Sequence, residues 1–332
     1  MSTLLEFLTL FLTQVQKPTL AFLLGGMVLA AIGSRLEIPD PIYQFIVLVL
    51  LLKVGMGAGM ALRTAQPLDL LLPAMAAMAL GLFIVLLGRV TLCLLPKLRK
   101  EDGLATAGLF GAVSVSTLAA GMAIMDDDGF AYEAWAPALY PFMDIPALLA
   151  AIVLAQIARR RAGAQTQQSL RSLIFETLRG SAFSALLLGL ALGLFTRPDP
   201  VFDSFYEPLF RGLLSLLMLV MGMEAYARLS ELRGVAIAYA VYGLLAPLVH
   251  GGLGFALGWA IHLVTGFSPG GVVILAVMAA SSSDVSGPPT LRVAIPSANP
   301  AVYIGTSTSI GTPVALLSIP LWMTLAEMLL MP

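Results

Sequence analysis

The run Ser281-Ser282-Ser283-Asp284-Val285-Ser286-Gly287-Pro288-Pro289 concentrates four hydroxyls and a carboxylate directly after an apolar stretch, Gly271 to Ala280. Gly-Pro-Pro prevents a regular helix from continuing through it. Inside a membrane, broken backbone is tolerated only where protein, water or a ligand satisfies its N–H and C=O groups. Pro288 and Pro289 suit the first turn of a new helix, whose free N–H groups attract an anion. Asp284 and the serine oxygens offer hard ligands to a small cation such as Na⁺. The competing reading is a surface loop with a helix cap at Asp284.

A second interruption lies in Gly108 to Ala123, as Phe110-Gly111-Ala112-Val113-Ser114-Val115-Ser116-Thr117. Glycine permits close backbone approach, and hydroxyls can bond an oxyanion without carrying charge, although Ser and Thr also pack between membrane helices. Asp144, flanked by Pro141 and Pro146, stands well inside another apolar segment, where a charge is costly. It could help bind Na⁺ or pair with a helix end. Thr306 to Thr312 is hydroxyl-rich and could line the same cavity. The candidate anion site is therefore Phe110, Gly111, Ser114, Ser116, Thr117, Ser281, Ser282, Ser283, Ser286 and Gly287. The candidate Na⁺ ligands are Asp284, Ser283, Asp144 and Thr117.

Other residues have plainer readings. The Gly/Met runs Gly55 to Met60 and Met218 to Met223 suit close helix packing. Lys53 and Arg89 can snorkel or pair with acids such as Glu224. His250 reads as a hydrogen-bonded structural residue, and Asp126, Asp127 and Asp128 as solvated acids of a loop. Arg159 to Arg161 anchor the end of a span, with regulation as an alternative.

These residues need an all-helical membrane scaffold. Of 332 residues, 59% are hydrophobic and 11% charged, against about 25% charged in a soluble domain. Apolar runs near the roughly 20 residues that cross a bilayer recur along the whole chain. A net charge of −1, with no basic stripe, does not suit nucleic acid. One cysteine, Cys93, forms no internal disulfide, and two histidines with one thiol do not suit a transition-metal site. Met1 to Gln16 has no Lys or Arg and reads as a surface amphipathic helix rather than a cleaved signal.

Ten spans are expected, starting near Pro18, Pro41, Asp69, Gly103, Glu133, Glu176, Phe205, Glu231, Pro269 and Asn299, with the fourth and ninth broken. Motifs recur in order about half a chain apart. Leu51 to Gly57 echoes Leu217 to Met223, Pro39-Asp40-Pro41 echoes Pro198-Asp199-Pro200, Ser114-Val115-Ser116 echoes Ser281-Ser282-Ser283, and Asp144 to Leu148 echoes Gly311 to Ala315. The chain thus divides into two five-span repeats, 1–162 and 163–332. An odd span number inserts the second copy upside down, an architecture that places binding at the midplane between broken helices. With the N-terminus outside, the cytoplasmic side collects Arg35, Lys97, Arg99, Lys100, Arg159, Arg160, Arg161, Arg171, Arg179, Arg228, Arg233 and Arg292. Only Lys17, Arg63, Arg197 and Arg211 are left outside, so both termini are expected outside the cytoplasm.

Several stretches resemble the cyanobacterial-type sodium-dependent bicarbonate transporter (SbtA) family. They are Leu109 to Ser114, Glu133-Ala134-Trp135, Ala138 to Leu148, Pro208 to Leu214, Met221 to Ala225, Ala279 to Arg292, Ile295 to Pro300 and Tyr303 to Gly305. The resemblance covers nearly the whole chain. It implies Na⁺-dependent bicarbonate uptake across the inner membrane by an elevator-type symporter, with no organic cofactor. It also implies a homotrimer, a gate domain from spans 1, 2, 6 and 7, and a core domain from spans 3–5 and 8–10. Bicarbonate and Na⁺ would bind at the two broken helices, and a PII-like nucleotide-binding protein would inhibit from the cytoplasm. Val115 replaces the glycine usual between the paired serines, and the linker Arg159 to Arg171 is short, which bears on substrate choice and on regulation respectively. A carrier of sulfate or a small carboxylate is the rival reading, disfavoured by the lack of an evident basic cavity residue. Intramembrane proteolysis by Asp144 and Asp284 is a distant third, since neither aspartate lies in a Gly-x-Gly-Asp setting.

Overall fold

The computed structural model describes residues 13, 16–95, 98–161, 175, 179–229 and 237–331. Most of the expected amphipathic segment Met1 to Gln16, the span starts at Glu176 and Glu231, and Lys97, Arg171 and Arg233 lie outside them. Among the described residues the chain is entirely helical. The principal helices are α1 (Pro18–Ala31), α2 (Asp40–Leu62), α3 (Pro67–Cys93), α4 (Lys100–Gly111), α5 (Val115–Asp127), α6 (Tyr140–Arg161) and α7 (Ser181–Phe195). They continue with α8 (Glu207–Leu229), α9 (Ile237–Thr265), α10 (Pro269–Ala280), α11 (Gly287–Ala294), α12 (Pro300–Gly305) and α13 (Thr312–Leu330). Proline in the first turn opens α1, α2, α3, α10, α11 and α12, where its missing N–H has no intrahelical partner to lose.

Among the described residues, seven segments are long and apolar enough to cross a membrane; the shorter apolar helix α1 precedes them, and α7 and α10 lie between them. Helix–helix association in lipid depends on close backbone approach, and the glycines supply it. Helices α1 and α8 pack together, as do α2 and α7. A Cβ at Gly222 would overlap the Leu23 carbonyl, one at Gly26 the Leu219 carbonyl, and one at Gly55 the Leu186 carbonyl. The Gly/Met runs are packing surfaces, as their composition indicates. Arg63, just past α2, donates to the Gly193 carbonyl (2.6 Å) and to the Thr196 carbonyl, tying down the end of α7. The remaining helices form a second group, in which α3, α4 and α6 pack on one another and α9 and α13 pack on α10.

Gly222→Leu should therefore force α1 off α8, where overpacking alone costs about 1–3 kcal/mol. Size-exclusion profiles of the solubilised variant should show loss of the monodisperse species. Gly212→Leu, on the same helix with open space at its Cβ position, should elute like the wild type.

The structure gives Lys53 an acid partner, as its reading allowed, and changes two other plain readings. Lys53 pairs with Glu207 (3.1 Å) rather than Glu224, with its ammonium 4.0 Å from the centre of the Phe210 ring. His250 is buried with Nδ1 lacking a hydrogen-bond partner, and its ring sits edge-on to Phe110 and Tyr242. Asp126 and Asp127 belong to the last turn of α5, and Asp127 and Asp128 form ion pairs with Arg211 and Lys17.

Candidate functional site

Both predicted breaks are present, and they meet. Helix α4 ends at Gly111; Ala112 (φ −86°, ψ 168°) and Ser114 (φ −84°, ψ 120°) are extended, and α5 restarts at Val115. Ser114 is its N-cap, with Oγ accepting from the Thr117 N–H (2.9 Å), the arrangement that satisfies one orphan donor of a helix start. Helix α10 ends at Ala280, Ser281 is extended (φ −74°, ψ 169°), and α11 begins at Gly287 with the two prolines in its first turn. The hydroxyl of Ser281 joins the breaks: it accepts from the Ser114 N–H (2.9 Å) and donates to the Met278 carbonyl (2.7 Å). A second bridge runs from the Ser283 N–H to the Leu109 carbonyl (2.8 Å).

Asp144 holds this junction from α6. Its Oδ1 accepts from the Val113 N–H (2.7 Å) in the first break, and its Oδ2 accepts from the Ser286 hydroxyl (3.2 Å) in the second. Ser283 Oγ bonds Ser286 Oγ (2.9 Å) and accepts from the Gly287 N–H (2.9 Å), capping α11. The Tyr140 hydroxyl reaches Ser286 (3.2 Å). Ser282 bonds Ser307 (2.7 Å), which belongs to a π-helical turn, Thr306–Gly311, entering α13; such turns are frequent at functional sites. Phe110 and Gly111 are fully buried, and the Phe110 ring packs against Gly311 and Tyr242.

Against this bonded frame, one set of polar atoms is buried without a hydrogen-bond partner: both carboxylate oxygens of Asp284 and the hydroxyls of Ser116, Thr117, Ser309 and Thr312. The hydroxyls of Ser114 and Ser116 lie close enough to act on the Asp284 carboxylate. Unsatisfied buried groups are rare because each costs about 1–3 kcal/mol. Oxygens of this kind, with a carboxylate among them, are the donors a hard cation takes. The predicted site residues thus separate into a frame (Asp144, Ser281, Ser282, Ser283, Ser286, with Ser114 as cap) and an unengaged set (Asp284, Ser116, Thr117).

A cavity of about 560 Å³ reaches Asp284 from the α2–α7–α8 side, with Asp40, Tyr43, Gln44, Ser181 and Glu224 supplying its polar wall. Tyr43 and Ser181 did not stand out in the sequence; the polar pair Tyr43-Gln44 just before the apolar run Phe45 to Leu52 was the available signal. No Lys or Arg is among the described residues that line the cavity. Two carboxylates fix the outer ends of the broken spans. Glu133 accepts from the Ser268 N–H and hydroxyl (both 2.7 Å) at the start of α10, and Asp102, in α4, accepts from the Asn299 N–H (2.7 Å) before α12.

A family model described as the Na⁺-dependent bicarbonate transporter superfamily matches residues 18–327. Comparison with curated proteins gives no match. With its apolar helices, paired helix breaks and a match running almost from end to end, the chain is a multi-pass membrane protein that belongs to the Na⁺-dependent bicarbonate transporter superfamily.

Proposed function

We propose that the protein carries bicarbonate into the cell together with Na⁺, as a symporter of the inner membrane working by an elevator motion. The observation that carries this reading is the Asp284 carboxylate, buried without hydrogen-bond partners where the two helix breaks meet. A cation there would be balanced by the carboxylate and reached by the Ser116 and Thr117 hydroxyls, the candidate ligands that the frame leaves unengaged. The anion would then be held by neutral donors, hydroxyls and the N–H groups at the start of α5 and α11, with Na⁺ beside it. The absence of a basic residue among the described lining residues suits a monoanion better than sulfate.

An inverted repeat is part of this reading. Ser114 and Ser281, bonded to each other, are separated by 167 positions. The same offset relates Gly26 to Gly193 and Gly55 to Gly222, each pressed against the backbone of a partner helix. In the ten-span reading, α1, α2, α7 and α8 make the gate, and the broken spans belong to a core that slides against it. On the orientation set by Lys and Arg, the cavity at Asp284 opens toward the cytoplasm, since Asp40 starts α2 and Glu224 lies near the end of α8. A homotrimer and a PII-like cytoplasmic regulator are carried by the family likeness alone.

Uptake of labelled bicarbonate into proteoliposomes should require an inward Na⁺ gradient and fall at least tenfold when K⁺ replaces Na⁺. Equal uptake in the two media would end the coupling claim. Undiminished bicarbonate uptake under excess unlabelled sulfate is the expected result of a second arm, and competition by sulfate would move the substrate to the divalent class.

A further inference from the structure

Asp126, Asp127 and Asp128 occupy the end of α5, a helix that packs on α10 and α13 in the second group. Two of the three acids form ion pairs with cations of the first group, and the third lies near two of its cations. Asp128 pairs with Lys17, the residue before α1, and Asp127 pairs with Arg211 of α8. Asp126, bonded by the Tyr132 hydroxyl (3.0 Å), lies within electrostatic reach of Lys53 of α2 and of Arg211. Lys53 and Asp126 line one cavity of about 410 Å³ between the two helix groups. Lys17 is 16% exposed, so its pair with Asp128 is screened less than the Arg211–Asp127 pair, whose arginine is 65% exposed.

We propose that the acidic end of α5 is an electrostatic latch that holds the two helix groups in the arrangement seen here. Side chains on a single helix tip that pair with the residue before α1 and with α8 at once cannot keep those partners if α5 moves along the bundle by even one helical turn, about 5 Å. The latch therefore sets the resting population of the two arrangements, and the ions bound at the breaks have to work against it. The inference rests on the two-group reading above, but its test requires no substrate.

Spin labels at Ser204, in the segment leading into α8, and Met328, near the end of α13, report the separation of the two groups in a Cys93→Ala background. Both positions are exposed and lie outside the latch. Neutralising all three acids (Asp126→Asn, Asp127→Asn, Asp128→Asn) should move or split the distance distribution by about 5 Å or more, the scale of a one-turn shift. Salt near 1 M, where the screening length is about 3 Å, should push the wild type partly the same way. An unchanged distribution in a triple variant that melts like the wild type would overturn the latch. If the triple variant does not fold, the exchange pair decides: Asp127→Arg and Arg211→Asp should each shift the distribution, and together restore it. Failure of the double exchange to restore it would equally count against the proposal. Failed bicarbonate uptake with intact label shifts would instead overturn only the transport reading.

Discussion

Asp284→Asn should abolish Na⁺-driven uptake while leaving a folded, monodisperse protein. The substitution keeps shape and volume and removes only the charge. The two carboxylate oxygens make no hydrogen bond within ordinary distance, and asparagine keeps one acceptor oxygen for the nearby Ser114 and Ser116 hydroxyls. What is lost is the countercharge to a desolvated cation, and removing one member of such a buried pair costs about 2–5 kcal/mol. At 1.4 kcal/mol per decade, that is a fall of about 30-fold to more than a thousandfold in Na⁺ affinity. Uptake measured over a range of Na⁺ concentrations, beside a thermal melt, checks it. Thr117→Val removes a neutral oxygen at an unengaged position and should raise the Na⁺ requirement by a smaller factor, about tenfold, the cost of about one lost hydrogen-bonding group. Wild-type Na⁺ dependence in Asp284→Asn would place the cation elsewhere.

The breaks were legible in the sequence because a helix break is a local property of the backbone. Gly287-Pro288-Pro289 cannot continue a helix, and glycine with clustered hydroxyls interrupts the apolar segment Gly108 to Ala123. The Gly/Met runs were legible for the same kind of reason, since residues without side-chain bulk have one obvious use between helices. Partner choice was not legible. Lys53 could meet Glu207 or Glu224, both on α8, and only the relative height of α2 and α8 selects Glu207. The acids at Asp126 to Asp128 read as solvated because nothing local reveals that Lys17 and Arg211 come to the end of α5 from other helices. Val115 is a comparable case. As the first residue of α5 it joins the apolar core, 5% exposed, so a valine in place of the family's glycine has a packed position of its own.

Which carboxylate binds and which one builds was also beyond the sequence, because Asp144 and Asp284 are both buried acids beside serines. The structure separates them by what their oxygens already do, and the separation predicts opposite outcomes for one conservative change. Asp144 takes the Val113 N–H on one oxygen and the Ser286 hydroxyl on the other, joining the two breaks. An asparagine there keeps a carbonyl for Val113 and can offer its amide to the Ser286 oxygen, so the clamp survives in neutral form. Asp144→Asn should therefore keep uptake within about threefold of the wild type, in contrast to Asp284→Asn, a difference of no more than about one net hydrogen bond. Asp144→Leu removes both acceptors and strands the buried Val113 N–H, at about 1–3 kcal/mol, while Ser286 keeps only its bonds to Ser283 and Tyr140. That variant should lose uptake together with thermal stability, because the first break no longer holds its position against the second. The melting curve is what distinguishes a clamp from a ligand. If Asp144→Asn abolished uptake and left the melt unchanged, Asp144 would join Asp284 as a cation ligand, and its two hydrogen bonds would be the means of aiming it.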